Sequence, residues 1–211
     1  MKTTTQRRSF RRASEEERRS DLISATQECI VQGGIGAVTL RKVAEFADVT
    51  PGLVRHYFSD TETLLCAAYK ETMSAMTSKA QAELKKCDKG ALARLRLFIE
   101  VSLQAPIMQR RSYLLWASFT SLINSIPGVA AIHHEVYLDF RKECEQLVRE
   151  VFVSLDRDIN DHQIVSYSIA VNAIIDGLWI EGCLAIDLFE QGTITELGVT
   201  SVQALLKLDE L

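Results

Sequence analysis

Apolar residues recur along this chain with the period of a helix, and no stretch sustains the alternation of a strand. Leu22, Ala25, Thr26, Cys29 and Ile30 share one helix face, behind a Ser14–Glu17 pair spaced as a capping box. Gly33-Gly34 ends that helix. Thr39 is placed to cap a second, with Leu40, Val43, Ala44 and Ala47 inward. Asp48 sits where the chain must turn, and Asp tolerates the left-handed region better than most residues. Thr50 caps a third helix with Pro51 in its first position, where a missing N–H costs nothing. Ser59 with Glu62 reads as a further capping box, opening a helix over about residues 60–86, roughly 40 Å long.

More helices are predicted after Asp88-Lys89-Gly90. One carries Leu92, Leu95, Ile99 and Leu103 and stops at Pro106. Another carries Tyr113, Trp116, Phe119 and Ile123 and stops at Pro127-Gly128. A third carries Ile132, Val136, Phe140, Leu147 and Val151. Asp158 to Asp161 caps a very apolar helix running through Trp179 to about Phe189, and a last helix runs from near Thr195 to the C-terminus. The apolar helix is interrupted by Asp176, Glu181 and Asp187, so it reads as a buried helix, and no membrane span is expected.

Composition narrows the picture. Across 211 residues there are only ten glycines and three prolines, few for a fold of many tight turns. Five widely spaced cysteines without a CxxC read as reduced buried thiols, which places the protein in the cytoplasm. The net charge of −4 hides an asymmetry: residues 1–60 hold ten basic and eight acidic side chains, whereas the remainder holds fourteen and twenty. Residues 1–13 read as a disordered basic tail.

The charge asymmetry directs attention to residues 39–58, TLRKVAEFADVTPGLVRHYF. Two short amphipathic helices meet at a tight turn, followed by an aromatic pair. That is a helix-turn-helix, whose second helix enters the DNA major groove. Leu40, Val43, Ala44, Val49 and Val54 can fix the interhelical angle. The candidate DNA-contacting residues are Thr39, Arg41, Thr50, Leu53, Arg55, His56 and Tyr57, with Arg11 and Arg12 from the tail. Arg55 can donate a bidentate pair to guanine, and the Tyr57 hydroxyl can reach a phosphate.

Thr39, Val43-Ala44, Ala47, Val49, Pro51-Gly52, Tyr57-Phe58 and Leu64-Leu65 together resemble the TetR family of bacterial one-component repressors. His56-Tyr57-Phe58 and Ile175-Asp176-Gly177-Leu178-Trp179 resemble its choline-responsive BetI branch. The chain departs from the family where Asp48 replaces Gly, Arg55 replaces Tyr and Thr61 replaces Lys at the start of the fourth helix. Loss of that lysine weakens a phosphate contact, and Arg55 points to a different operator sequence. The resemblance implies an all-α fold. A helix-turn-helix domain over residues 14–59 is joined by the long fourth helix to a ligand-binding and dimerisation domain over residues 60–211, with about nine helices in all.

The same resemblance implies that the acidic C-terminal part senses a small molecule and pairs two copies, through a four-helix bundle made by the apolar helix and the last one. The expected partners are an operator duplex, a second copy of the chain and an effector, with no membrane and no cofactor. Ligand-binding candidates are Phe98, Trp116, Phe119, Tyr137, Asn172, Asp176 and Trp179. The aromatics suit a cage for a quaternary ammonium, with Asp176 as counter-charge. Each of these aromatics also fits an ordinary core position. His133-His134 with Glu135 is too thin a cluster to hold metal. No HExxH, GxxxxGK[ST], Rossmann glycine pattern or GxSxG is present, so no enzyme is expected. The reading is a ligand-released transcriptional repressor, and the alternative is a helical adaptor without DNA binding.

Overall fold

A computed structural model describes residues 14–211, apart from the side chain of Ile186. The basic tail expected over residues 1–13, with Arg11 and Arg12, lies outside the described residues. Nine α-helices and no strand are present among the described residues. They are α1 (Glu15–Gly33), α2 (Leu40–Phe46), α3 (Pro51–Tyr57), α4 (Thr61–Lys86), α5 (Ala91–Ser102), α6 (Arg110–Thr120), α7 (Pro127–Ser154), α8 (Asp161–Leu184) and α9 (Thr193–Leu206). Single 3-10 turns follow α1 and α8.

Local chemistry explains most boundaries. Ser14 accepts from the Glu17 N–H while the Glu17 carboxylate accepts from the Ser14 N–H, the expected capping box. Gly34 ends α1 at φ 73°, a region a side chain would resist. Thr39 and Thr50 cap α2 and α3 through their hydroxyls. Asp48 takes φ 52°, so the turn is left-handed without glycine.

Several expectations need correction. The cap of α4 is Asp60, not Ser59: its carboxylate accepts the Thr63 N–H at 2.7 Å, and the Ser59 hydroxyl donates to Asp60. A charged acceptor makes the stronger cap bond. Asn160, within the stretch expected to cap α8, does so and forms a box with Gln163, but that helix stops at Leu184 rather than near Phe189. Pro127 does not end α6, which finishes at Thr120; it opens α7. The last helix ends at Leu206, with Lys207 in the left-handed region. α8 is also long and apolar enough to cross a membrane, and with a third of its most apolar stretch buried within the chain it is less covered than the buried helix expected.

The helices enclose two cores. One is built from α1–α3 and the first half of α4, with Leu22, Val43, Val54, Phe58, Leu64 and Tyr69 fully covered. It also takes in Leu115 and Phe119 of α6 and Val129 of α7, so the first core reaches past residue 59. The other is built from the rest of α4 with α5, α7, α8 and α9, around Leu95, Ile99, Leu147, Val151, Val171 and Val202. Polar ties also bind α1 to its neighbours. Gln27 of α1 donates to Thr72 of α4 at 3.0 Å, and Arg111 of α6 pairs with Glu28 of α1 at 2.7 Å.

Candidate DNA interface and effector cavity

The helix-turn-helix is two helices of seven residues each, too short to be stable alone. Their shape comes from contacts. Val43, Ala44 and Val54 are fully buried, and the Val49 N–H donates to the Ala44 carbonyl at 3.0 Å across the turn. That arrangement leaves Thr50, Arg55 and His56 of the α3 segment exposed, with Leu53 and Tyr57 half-buried. Thr39 and Arg41 are exposed at the start of α2. Arg41 lies 3.6 Å from Glu45 and Lys42 3.0 Å from it; the Lys42 hydrogen bond holds the Glu45 carboxyl below its ordinary range. Thr39 and Thr50 use their hydroxyl oxygens as cap acceptors. The outward surface of α3 therefore carries one guanidinium, one imidazole and a phenol, donors suited to base edges and phosphates. Phe58 is wholly buried beneath this surface and is core.

A cavity of about 420 Å³ lies in the C-terminal body, within the usual size of a small-molecule site. Its walls come from α4, α5, α6, α7 and α8, with Ile107 from the connection before α6. Of the ligand-binding candidates, Trp116, Tyr137, Asn172, Asp176 and Trp179 line it. Trp116 and Trp179 meet edge-on, 5.6 Å apart at 78°. Trp179 is fixed by donating its indole N–H to the Ile107 carbonyl at 3.0 Å. Asn172 donates to the Asp176 carboxylate at 2.7 Å, keeping that acid in place. Burial among apolar neighbours raises the Asp176 carboxyl, an effect the Asn172 bond opposes.

Phe98 and Phe119, also expected in the cavity, are not on its wall. Phe98 is fully buried against Phe140, which does line the cavity; Phe119 packs on Tyr69 in the first core. Helical spacing identified both as inward, but not which neighbour would cover them.

The remaining wall residues lie outside the sequence-based candidates, and the most polar of them is His133. His133 was weighed only as a metal ligand, yet its Nδ1 lies 2.7 Å from the hydroxyl of fully buried Tyr69. Its ring stacks between Tyr69 and Tyr137, at 6.4 Å and 6.2 Å. Burial lowers the His133 pKa, with its neighbour His134 adding to the effect, and raises Tyr69 to about 12. The i, i+4 spacing of His133 and Tyr137 was the available signal. Among the described residues no group of His, Cys, Asp and Glu is arranged to hold a metal ion.

Comparison with known proteins places these features in a lineage. Residues 22–68 match the model for bacterial regulatory proteins of the tetR family, and residues 91–207 match that for the BetI-type transcriptional repressor C-terminal region. The HTH-type transcriptional regulator BetI of Pseudomonas paraeruginosa is 30% identical over 179 residues, covering 82% of this chain and 85% of that protein. Its counterpart from Burkholderia thailandensis is 27% identical, covering 90% and 93%. A crystal structure described as a transcriptional regulator of Pseudomonas aeruginosa PAO1 superposes with a TM-score of 0.84 at 25% identity, covering 96% of this chain and 95% of that one. Another, a transcriptional regulator from Saccharomonospora viridis in complex with choline, superposes at 0.72 and 15% identity, covering 92% and 98%. The chain belongs to the TetR family of DNA-binding transcriptional regulators, and its C-terminal region is of the BetI repressor type.

Proposed function

We propose that this regulator acts in the cytoplasm as a homodimeric repressor, and that a small organic cation of the choline type releases it from a palindromic operator. The observation that carries the effector half is the cavity itself. Two tryptophans and a tyrosine supply π faces, and Asp176, held by Asn172, supplies the one carboxylate on the wall. A quaternary ammonium is poorly hydrated and cannot donate hydrogen bonds. Such a box suits it through cation–π attraction and a counter-charge. The choline complex of the Saccharomonospora protein supports the same class.

Pairing is read from α8 and α9. Their outward faces leave Ile169, Leu184 and Leu197 largely exposed in the single chain, an apolar surface that a second copy would cover. Two α3 helices related by a two-fold axis would then meet half-sites on one face of a duplex through Thr50, Leu53, Arg55, His56 and Tyr57, with Thr39 and Arg41 toward the backbone. Release needs only that the cation bind better to a state whose two α3 helices no longer match those half-sites. A tenfold weakening corresponds to about 1.4 kcal/mol of coupling.

Titration of the full chain with choline, followed by quenching of Trp116 and Trp179 and by calorimetry, tests the effector. Saturable binding that weakens about tenfold in Asp176→Asn is the expected result. Heat and fluorescence that stay flat to millimolar choline would discard the cation class.

A further inference from the structure

The end of α3 is an electrostatically awkward place for a DNA-binding surface. The last carbonyls of the helix point there, and the carboxylates of Asp60 and Glu62 follow within a few residues. A phosphate approaching this corner meets negative charge unless a cation stands by. Arg55 stands in the last turn of α3 itself, and a second cation, Arg19 from the first turns of α1, is docked on the final residues of the segment. Its Nη1 donates to the Tyr57 carbonyl at 3.3 Å, and its Cζ stands 4.4 Å from the centre of the Phe58 ring. Both partners are the final residues of the recognition segment. Arg19 itself is exposed.

This geometry fixes the guanidinium without exhausting it. The Phe58 ring is immobile, being wholly buried, so it presents a firm face for the planar group. One N–H of five is committed to Tyr57, and no other hydrogen bond or ion pair of Arg19 occurs among the described residues. Its neighbour Arg18 is spent differently, 3.6 Å from Asp21.

We propose that Arg19 is both a positioning residue and a phosphate contact of the DNA interface. It ties the C-terminal end of α3 to α1, and its remaining N–H donors meet a backbone phosphate beside Tyr57. The inference rests on the seating of α3 in the groove set out above. The contact carries no base information. Arg19 therefore contributes to affinity and register on every duplex alike, in contrast to Arg55.

The test is the salt dependence of DNA binding by the full chain. Fluorescence anisotropy is read on two duplexes of equal length, one carrying the palindrome nearest its own coding sequence and one of random sequence. Arg19→Ala should weaken binding on both by about tenfold, and the slope of log K against log salt should fall by about one for each α3 engaged. Arg19→Lys keeps the charge and should keep the slope, with an affinity loss of a few fold. Arg19→Gln retains a donor for the Tyr57 carbonyl but no charge, and should lose the slope as Arg19→Ala does. Unchanged helix content and melting temperature in the Lys and Gln variants separate these effects from misfolding. A slope unmoved in both Arg19→Ala and Arg19→Gln, or a loss confined to the palindrome, would overturn the phosphate contact. Failure of the unaltered chain to bind either duplex at low salt would instead remove the groove seating on which it rests.

Discussion

The two cores of this molecule are built by opposite means. In the first, short helices are held by many local devices. Thr39 and Thr50 cap, Pro51 starts α3, Asp48 turns the chain, and a handful of buried side chains set one angle. In the second, long helices pack with few local markers, and the cavity exists only where five of them fail to close. The lesson is that a rigid presenting surface can be encoded residue by residue, whereas a binding cavity is a property of the packing. Tyr69 and His133 join the two. One belongs to the first core, the other to the cavity wall, and a 2.7 Å hydrogen bond connects them.

If the first core is a unit, breaking it should leave the second standing. Phe58→Ala removes a fully buried ring and should cost about 3–5 kcal/mol. Thermal unfolding by circular dichroism should then show an early transition, with DNA binding abolished and tryptophan quenching by choline retained. Next in size is Arg55→Ala, which should cost about 1–3 kcal/mol on the preferred sequence and flatten discrimination at one base pair of each half-site. A panel of single-base operator variants measures it. Tyr57→Phe should instead weaken all sequences alike.

The cavity offers the reciprocal experiment. Asp176→Asn should reduce cation affinity about tenfold, or about 1.4 kcal/mol, while leaving the ligand-free operator affinity intact. The pH dependence has a definite sign. The Asp176 carboxyl is raised by burial, and a cation binds its ionised form, so affinity should climb as pH rises through that carboxyl's titration. His133 works in the same direction, since its protonation at low pH would add a repelling charge to the wall. Calorimetry across the acidic range should show a rise and then a plateau, and Asp176→Asn should remove the carboxyl step. The smallest effect is Thr50→Ala. Losing one cap should cost about 1 kcal/mol of stability, visible as a modest drop in melting temperature with the cavity unaffected.

The same contrast governs what could be read from the amino-acid order. Ser14, Thr39, Thr50, Pro51 and Asp48 act on neighbours within four residues, so their roles were legible at once. Even there Ser59 was mistaken for a cap, because Asp60 beside it offers a better acceptor. The outward set on α3 followed from which side chains the turn needs inside. The cavity was half legible. Trp116, Tyr137, Asn172, Asp176 and Trp179 share one cavity wall, whereas Phe98 and Phe119 face other neighbours, because burial alone does not say against what. His133 was overlooked because its partner Tyr69 stands 64 positions away, on a helix that only tertiary packing brings near.

The most direct measurement is operator affinity of the full chain with and without choline, on the palindromic duplex nearest its own coding sequence. Salt-sensitive binding that weakens at least tenfold as the cavity fills, with that response lost in Asp176→Asn, is the predicted result. A duplex affinity that stays the same while choline demonstrably occupies the cavity would contradict the coupling of the two cores.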